Sequence, residues 1–144
     1  MRSLLMTSVV CVAGLAAMPA SAAQPPDPCV LITTVDASTA LGKTPPKATP
    51  KTVAKTRTCT YTVKRKTMTV TTSKIATKGA FDKSAKATTG IVVPMQGVGA
   101  DAWSANGTTI LVWQNGTAVK IDFTGFQPFV SVQQSLAKTA ANRL

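Results

Sequence analysis

The sequence predicts an α+β fold: an antiparallel sheet of about five strands, one hairpin plus a three-stranded meander, packed by a short N-terminal helix and a C-terminal helix. Three observations predict it. Apolar residues alternate with threonines through 59–63 and 68–72, the period of two that marks half-buried strands. Two Asn-Gly dipeptides, Asn106-Gly107 and Asn115-Gly116, punctuate residues 101–123, and Asn-Gly is the turn chemistry of two-residue hairpins. Capping-box patterns stand near both ends, at Thr33-x-x-Asp36 and Ser131-x-x-Gln134, where helices are expected to begin.

Residues 1–22 read as a cleavable signal peptide. Arg2 precedes an apolar run from Leu4 to Ala17, and Pro19 leads into Ala20-Ser21-Ala22, a small-x-small cleavage pattern. A membrane span needs about 20 apolar residues, more than this run supplies. No Cys follows the cleavage point, so no lipid anchor and no transmembrane segment are expected in the mature chain. Cleavage near Ala22 leaves residues 23–144, enough for one core and too few for two. That remainder is expected to be secreted or periplasmic.

Residues 24–28 form a Pro-rich extended lead-in. The Thr33-Asp36 box then opens a short helix through Ala37, Ala40 and Leu41, closed by Gly42 in the left-handed conformation. Prolines 45, 46 and 50 forbid a helix over the next stretch, so residues 43–56 are expected to be a basic loop. The following hairpin turns at Arg65-Lys66, pairing Val63 with Met68 and Tyr61 with Val70, with one face apolar and the other threonine. Thr-x-Thr rows also occur on ice-binding surfaces, but two short rows make a small platform and threonine suits any solvated strand face. A second short helix is expected over 79–87 around Phe81, and Ile91-Val92-Val93 runs extended into Pro94. In the meander Trp103 is set opposite Ile110 and Val112 opposite Val119, with Ile121 and Phe123 completing the buried face. Leu111 and Trp113 then point outward beside Ala118 and Lys120. The Asn-Gly-Thr triplets match glycosylation sequons, but they read as turns here. Val132, Leu136 and Ala140 carry the apolar face of the terminal helix.

Charge and cysteine content bound the chemistry. The chain has 16 Lys+Arg against five Asp, no Glu and no His, a net charge of +11. Twelve of the bases lie between Lys43 and Lys86. Such a one-signed field attracts anionic partners and raises association rates, although the same charge also serves solubility. Cys11 leaves with the leader, so Cys29 and Cys59 remain as a pair that an oxidising compartment closes into a disulfide. Without His or Glu the commonest general acids and bases are missing. The five aspartates are scattered, Asp101 and Asp122 falling on opposite faces in this register, so no paired-carboxylate, metal or cofactor site is expected and the protein is not expected to be an enzyme. Ser135-Leu136-Ala137-Lys138 matches the S-x-x-K of penicillin-binding enzymes without the partner motifs, and Ser135 reads as helix surface. Gly97-Val98-Gly99 imitates a dinucleotide fingerprint but leads into a strand instead of a helix, so these glycines shape a turn.

Pro28-Cys29-Val30-Leu31-Ile32-Thr33, Ala40-Leu41-Gly42, Cys59-Thr60-Tyr61 and Val93-Pro94 with Gly97-Val98-Gly99-Ala100-Asp101-Ala102-Trp103 together resemble a group of secreted or lipid-anchored bacterial proteins common in actinobacteria and largely of unknown function. The resemblance covers most of the chain after the leader. It implies an α+β sheet domain whose disulfide joins the first helix region to the first strand, at Cys29 and Cys59 here, and it transfers no catalytic residue. This chain departs from the group in lacking a lipid-attachment Cys and in its long basic loop.

The functional expectation is an exported, non-enzymatic binding module. Its partner would be an anionic envelope polymer or an acidic protein surface, met through Lys43, Lys47, Lys51, Lys55, Arg57, Lys64, Arg65 and Lys66. The alternative is a protein-interaction or inhibitor module using Leu111 and Trp113 on an exposed apolar sheet face, unless a helix covers that face.

Overall fold

The computed structural model describes residues 24–42 and 47–144; the expected leader, Lys43, Pro45 and Pro46 lie outside them. Along the described chain run α1 (Pro28–Leu31), α2 (Thr34–Leu41), β1 (Thr49–Val53), β2 (Thr56–Val63), β3 (Lys66–Lys74), α3 (Lys78–Lys86), β4 (Val92–Pro94), β5 (Asp101–Ala105), β6 (Thr109–Gln114), β7 (Thr117–Thr124) and α4 (Val130–Asn142). The class is α+β, as expected, but the sheet has seven strands, ordered β1-β2-β3-β7-β6-β5-β4. Every neighbouring pair is antiparallel.

The two unexpected strands are the edges, and each contains a proline. Pro50 lies in β1, which pairs with β2 from Thr49–Thr60 to Val53–Thr56, so residues 49–53 of the expected loop over 43–56 are strand. Proline removes one ladder donor, which an edge strand tolerates. β4 ends at Pro94 against Trp103 for the same reason.

The helix termini form as their chemistry dictates. Thr33 N–H donates to Asp36 Oδ2 at 2.8 Å while Asp36 N–H donates to Thr33 Oγ1 at 3.4 Å, the reciprocal box that satisfies two helix-end donors. Gly42, at φ 75°, closes α2. The C-terminal helix differs from expectation. It starts at Val130, and its N-cap residue Phe129 makes no side-chain cap bond. Gln133 turns inward instead, donating to Gly107 O and Pro128 O and accepting from Ser104 Oγ, all at 3.0 Å. Its amide is thereby satisfied in a buried position, as burial of a polar group requires.

One sheet face packs against α1, α2 and α4. Cys59, Tyr61, Met68 and Val70 on β2 and β3 are fully buried there, with Ile110, Val112, Val119 and Ile121 on β6 and β7. The β2–β3 register pairs Tyr61 with Met68 and Cys59 with Val70 across a two-residue turn at Lys64-Arg65. That is two residues from the expected pairing, and because side chains alternate with period two the same residues stay inside. The lead-in is pinned as well, since Thr72 Oγ1 donates to Pro26 O at 2.8 Å and Arg57 Nη1 donates to Pro25 O at 3.3 Å. Arg143 closes the C-terminus onto the first helices, donating to Leu31 O at 2.8 Å and to Asp36 Oδ2 at 2.6 Å.

The meander register departs from expectation at one residue. The Asn106-Gly107 turn closes, Thr108 N–H to Ala105 O at 3.1 Å, but pairing resumes only at Ala105–Thr109. Thr108 is thus an extra residue, and one extra residue moves a strand's side chains to the opposite face. Trp103 consequently lies opposite Leu111 rather than Ile110. The same slip places Asp101, opposite Trp113 and through it Ala118, on the face that also holds Asp122. The two aspartates are still four residues apart along β7, about 13 Å, and do not make a carboxylate pair.

The second sheet face is covered over β6 and β7 by α3. Phe81 and Ala85 of α3 bury Leu111 and Ala118, with Trp103 and Trp113 packed alongside. The Phe81 and Trp113 rings stack at 6.3 Å between centroids, and Trp113 Nε1–H donates to Ile75 O at 2.8 Å. Leu111 is 8 % exposed. The expectation that Leu111 and Trp113 form an exposed apolar face is therefore corrected: an amphipathic helix docks there, with Lys78, Lys83 and Lys86 exposed. Over β2 and β3 the second face is threonine, with Thr58, Thr60, Thr69 and Thr71 in cross-strand pairs.

Tyr61 supplies a pH prediction. Its hydroxyl donates to Ile32 O in the core, and burial, followed by the Asp36 and Asp27 carboxylates, pushes its pKa from 10.0 up to about 12. The neutral phenol is favoured in the folded state. Its contribution to stability is therefore complete below about pH 10 and is lost as the pH rises toward about 12. The chain has a single Tyr, so phenolate absorbance reads this residue alone. It should titrate near the folded value, and Tyr61→Phe should flatten the loss of stability in that interval. Titration at the ordinary tyrosine pKa in the native protein would refute the burial account.

Candidate anion-binding site

The five aspartates are all engaged. Asp27 Oδ2 meets Arg57 Nη2 at 2.7 Å, Asp36 Oδ2 meets Arg143 Nη1 at 2.6 Å, and Asp122 Oδ2 meets Lys120 Nζ at 3.1 Å. Asp82 and Asp101 share Lys78, at 2.7 and 3.4 Å, and the Lys78 contact holds Asp82 below the usual carboxylate range. Among the described residues, Lys47, Lys51, Lys55, Lys64, Arg65, Lys66, Lys74, Lys83, Lys86 and Lys138 then have no acidic partner. The positive field is uncompensated, so an approaching anion meets it undiminished except by salt.

The seven described residues of the eight expected at the anion site do not form one patch. Lys43 lies outside the described residues. Arg57 is half-buried and committed to Asp27 and to Pro25 O, where it holds the lead-in against β2. It is already paired there, which sets it apart from the bases without an acidic partner. Lys51 projects from β1 in the row Lys51–Thr58–Thr71–Lys120 on the threonine face. Lys55 occupies the β1–β2 turn, separated from the β2–β3 turn by the whole of the eight-residue β2, about 23 Å. Among the described residues, Lys64, Arg65 and Lys66 are brought together on the β2–β3 turn. Lys47, two residues before β1, lies at the same end of the sheet, since Thr49 pairs with Thr60 near the end of β2.

That turn is held from below by the exit of β7. Thr67 pairs with Thr124, and the next residue, Gly125, has φ 80° and passes so close to Arg65 that a Cβ would overlap the Arg65 carbonyl oxygen. Lys66 Nζ lies 5.3 Å from the Phe126 ring centroid, within cation–π range. Phe126 stands edge-on to core residue Phe123 at 5.4 Å. Lys64 adopts φ 54°, a conformation that costs a non-glycine residue about 1–2 kcal/mol. The three cations are thereby mounted on a fixed support.

Beside the turn is a groove of about 500 Å³, lined by Leu41, Gly42 and Val63, by Lys64, Arg65 and Lys66, and by Gly125. Two further grooves lack bases. One of about 440 Å³ follows the Pro94–Trp103 loop and includes Asp101; Gly97 and Gly99 shape it at φ 68° and 84°. The other, of about 390 Å³, lies between β4 and the start of α4. Sequence reasoning found the turn cations but missed Leu41, Val63 and Gly125. The Gly after β7 was visible as a strand terminator, yet its approach to Arg65 depends on a β3–β7 pairing more than fifty residues apart in sequence. Ser135 and Lys138 are both exposed on α4, consistent with helix surface. Among the described residues there is no group of three or more His, Cys, Asp or Glu that could hold a metal, and no helix is long and apolar enough to cross a membrane. Comparison of the chain with protein-family models, with curated proteins and with solved structures finds no match.

Proposed function

We propose that the chain is an exported, non-enzymatic binding module that meets an anionic envelope component through the basic end of its sheet. The observation that carries the reading is the combination of five aspartates each paired with another cation and three cations, Lys64, Arg65 and Lys66, side by side at the mouth of a groove and lacking any acidic partner among the described residues. The disulfide is compatible with an oxidising destination. The protein-interaction alternative loses its surface, because α3 covers Leu111 and stacks on Trp113.

The test is retention on immobilised polyphosphate. Elution is expected at a salt concentration that falls sharply for Lys64→Gln/Arg65→Gln/Lys66→Gln and only slightly for Lys74→Gln/Lys83→Gln/Lys86→Gln, which removes the same charge elsewhere. Retention insensitive to salt, or equal losses for the two triples, would show net charge without a site.

A further inference from the structure

We infer that the groove at the β2–β3 turn binds an acyl-chain anion, one alkyl chain ending in a phosphate or carboxylate. The inference rests on the anion-binding reading above and narrows it to a ligand class. Three features of the groove point there. Lys64, Arg65 and Lys66 all line the one groove, where a single charged head can meet them; the next described base along the hairpin, Lys55, is a whole strand away, about 23 Å. Next to the cations the wall is apolar: Leu41 belongs to the core and Val63 packs against it. Lys and Arg place their methylene stems along such a surface while the charged heads stay in water, giving an oily groove with a charged mouth. Finally, Gly42 lines the groove without a side chain, and a Cβ there would meet no atom of the described residues within 4 Å. The volume of about 500 Å³ suits a small-molecule site, and the net charge of +11 complements an anionic head and disfavours a cationic one.

The experiment titrates the disulfide-bonded protein with dodecyl phosphate below its micelle concentration, with inorganic phosphate and with dodecyl maltoside, following backbone amide NMR shifts. Dodecyl phosphate should saturate with shifts centred on Val63–Lys66 and Gly125, and bind about ten-fold or more tighter than inorganic phosphate. Along butyl, octyl and dodecyl phosphate the affinity should rise and then level off as the groove fills. Val63→Ser should weaken dodecyl phosphate more than it weakens inorganic phosphate, and the chain-length series keeps the test decisive should that variant fold poorly. Equal affinity for inorganic and dodecyl phosphate, or no dependence on chain length, overturns the inference and leaves the anion-binding reading standing if polyphosphate is still retained. Binding of dodecyl maltoside at the same residues with equal affinity also overturns it. If neither phosphate nor polyphosphate binds, both readings fall together.

Discussion

Opening the Cys29–Cys59 bond, by reduction or by the double replacement Cys29→Ala/Cys59→Ala, is expected to lower folding stability by roughly 3 to 4 kcal/mol. The bond spans 30 residues of sequence, and closing a loop of that size removes much of the freedom of the unfolded chain. The native side adds to the argument. α1 has only four residues, far too few for a helix to persist alone. What fixes it to the sheet is the bridge to Cys59, the burial of Leu31 and Ile32, the Tyr61 bond to Ile32 O and the Arg143 bond to Leu31 O. The loss should therefore be uneven: residues 27–42 should gain hydrogen-exchange lability first, while the central β3–β7 ladder stays protected until global unfolding. Urea midpoints of oxidised and reduced protein measure the whole effect. A difference below about 1 kcal/mol would mean that the core alone fixes the N-terminal helices.

Whatever depended on a few adjacent residues was legible in the sequence. The Thr33-Asp36 box, the Gly42 stop, the Asn115-Gly116 turn and the α3 segment around Phe81 are decided by local chemistry, and each stands where expected. The cysteine pairing was legible from simple counting. Misreadings arose where a local rule met a non-local exception. Pro50 argues against a strand unless the strand is an edge, and edge status belongs to the sheet, not to the segment. The Asn106-Gly107 turn formed, but Thr108 is an extra residue beside it, and the Asn106 side chain ties the turn to a distant segment, donating to Thr89 O at 2.7 Å and accepting from Ile91 N–H at 2.9 Å. That one residue put Trp103 on the face opposite to the one expected. For Leu111 and Trp113, alternation named their face correctly while the covering helix lies more than twenty-five residues upstream.

The candidate site divides along the same line. Runs of Lys and Arg are plain in sequence, yet charge alone did not separate Arg57, which holds the lead-in, from Lys64, Arg65 and Lys66, which stand free at a groove. The separating facts are the position of Asp27 near the start of the described chain and the passage of Gly125 under the turn. Both are contacts between segments 30 residues or more apart, and no spacing rule reports them.

Gly125→Ala is the second large effect, expected at about 2 to 5 kcal/mol. Two costs combine there. The left-handed φ of 80° costs an alanine about 1–2 kcal/mol, and the new Cβ would overlap Arg65 O, a backbone atom that cannot rotate away, adding the about 1–3 kcal/mol of an overpacked site. Gly42→Ala isolates the first cost. Its φ is 75°, but its Cβ would meet no atom of the described residues within 4 Å, so it should lose only the conformational part. The gap between the two melting temperatures therefore measures how tightly the β7 exit supports the β2–β3 turn. That support also orients Lys64, Arg65 and Lys66, so Gly125→Ala should weaken polyphosphate retention at a temperature where the protein is still folded, without changing its net charge. If the two alanine variants melt together and both retain polyphosphate like the parent, the turn is not held by Gly125. The cations would then act as a mobile cluster, not a fixed site.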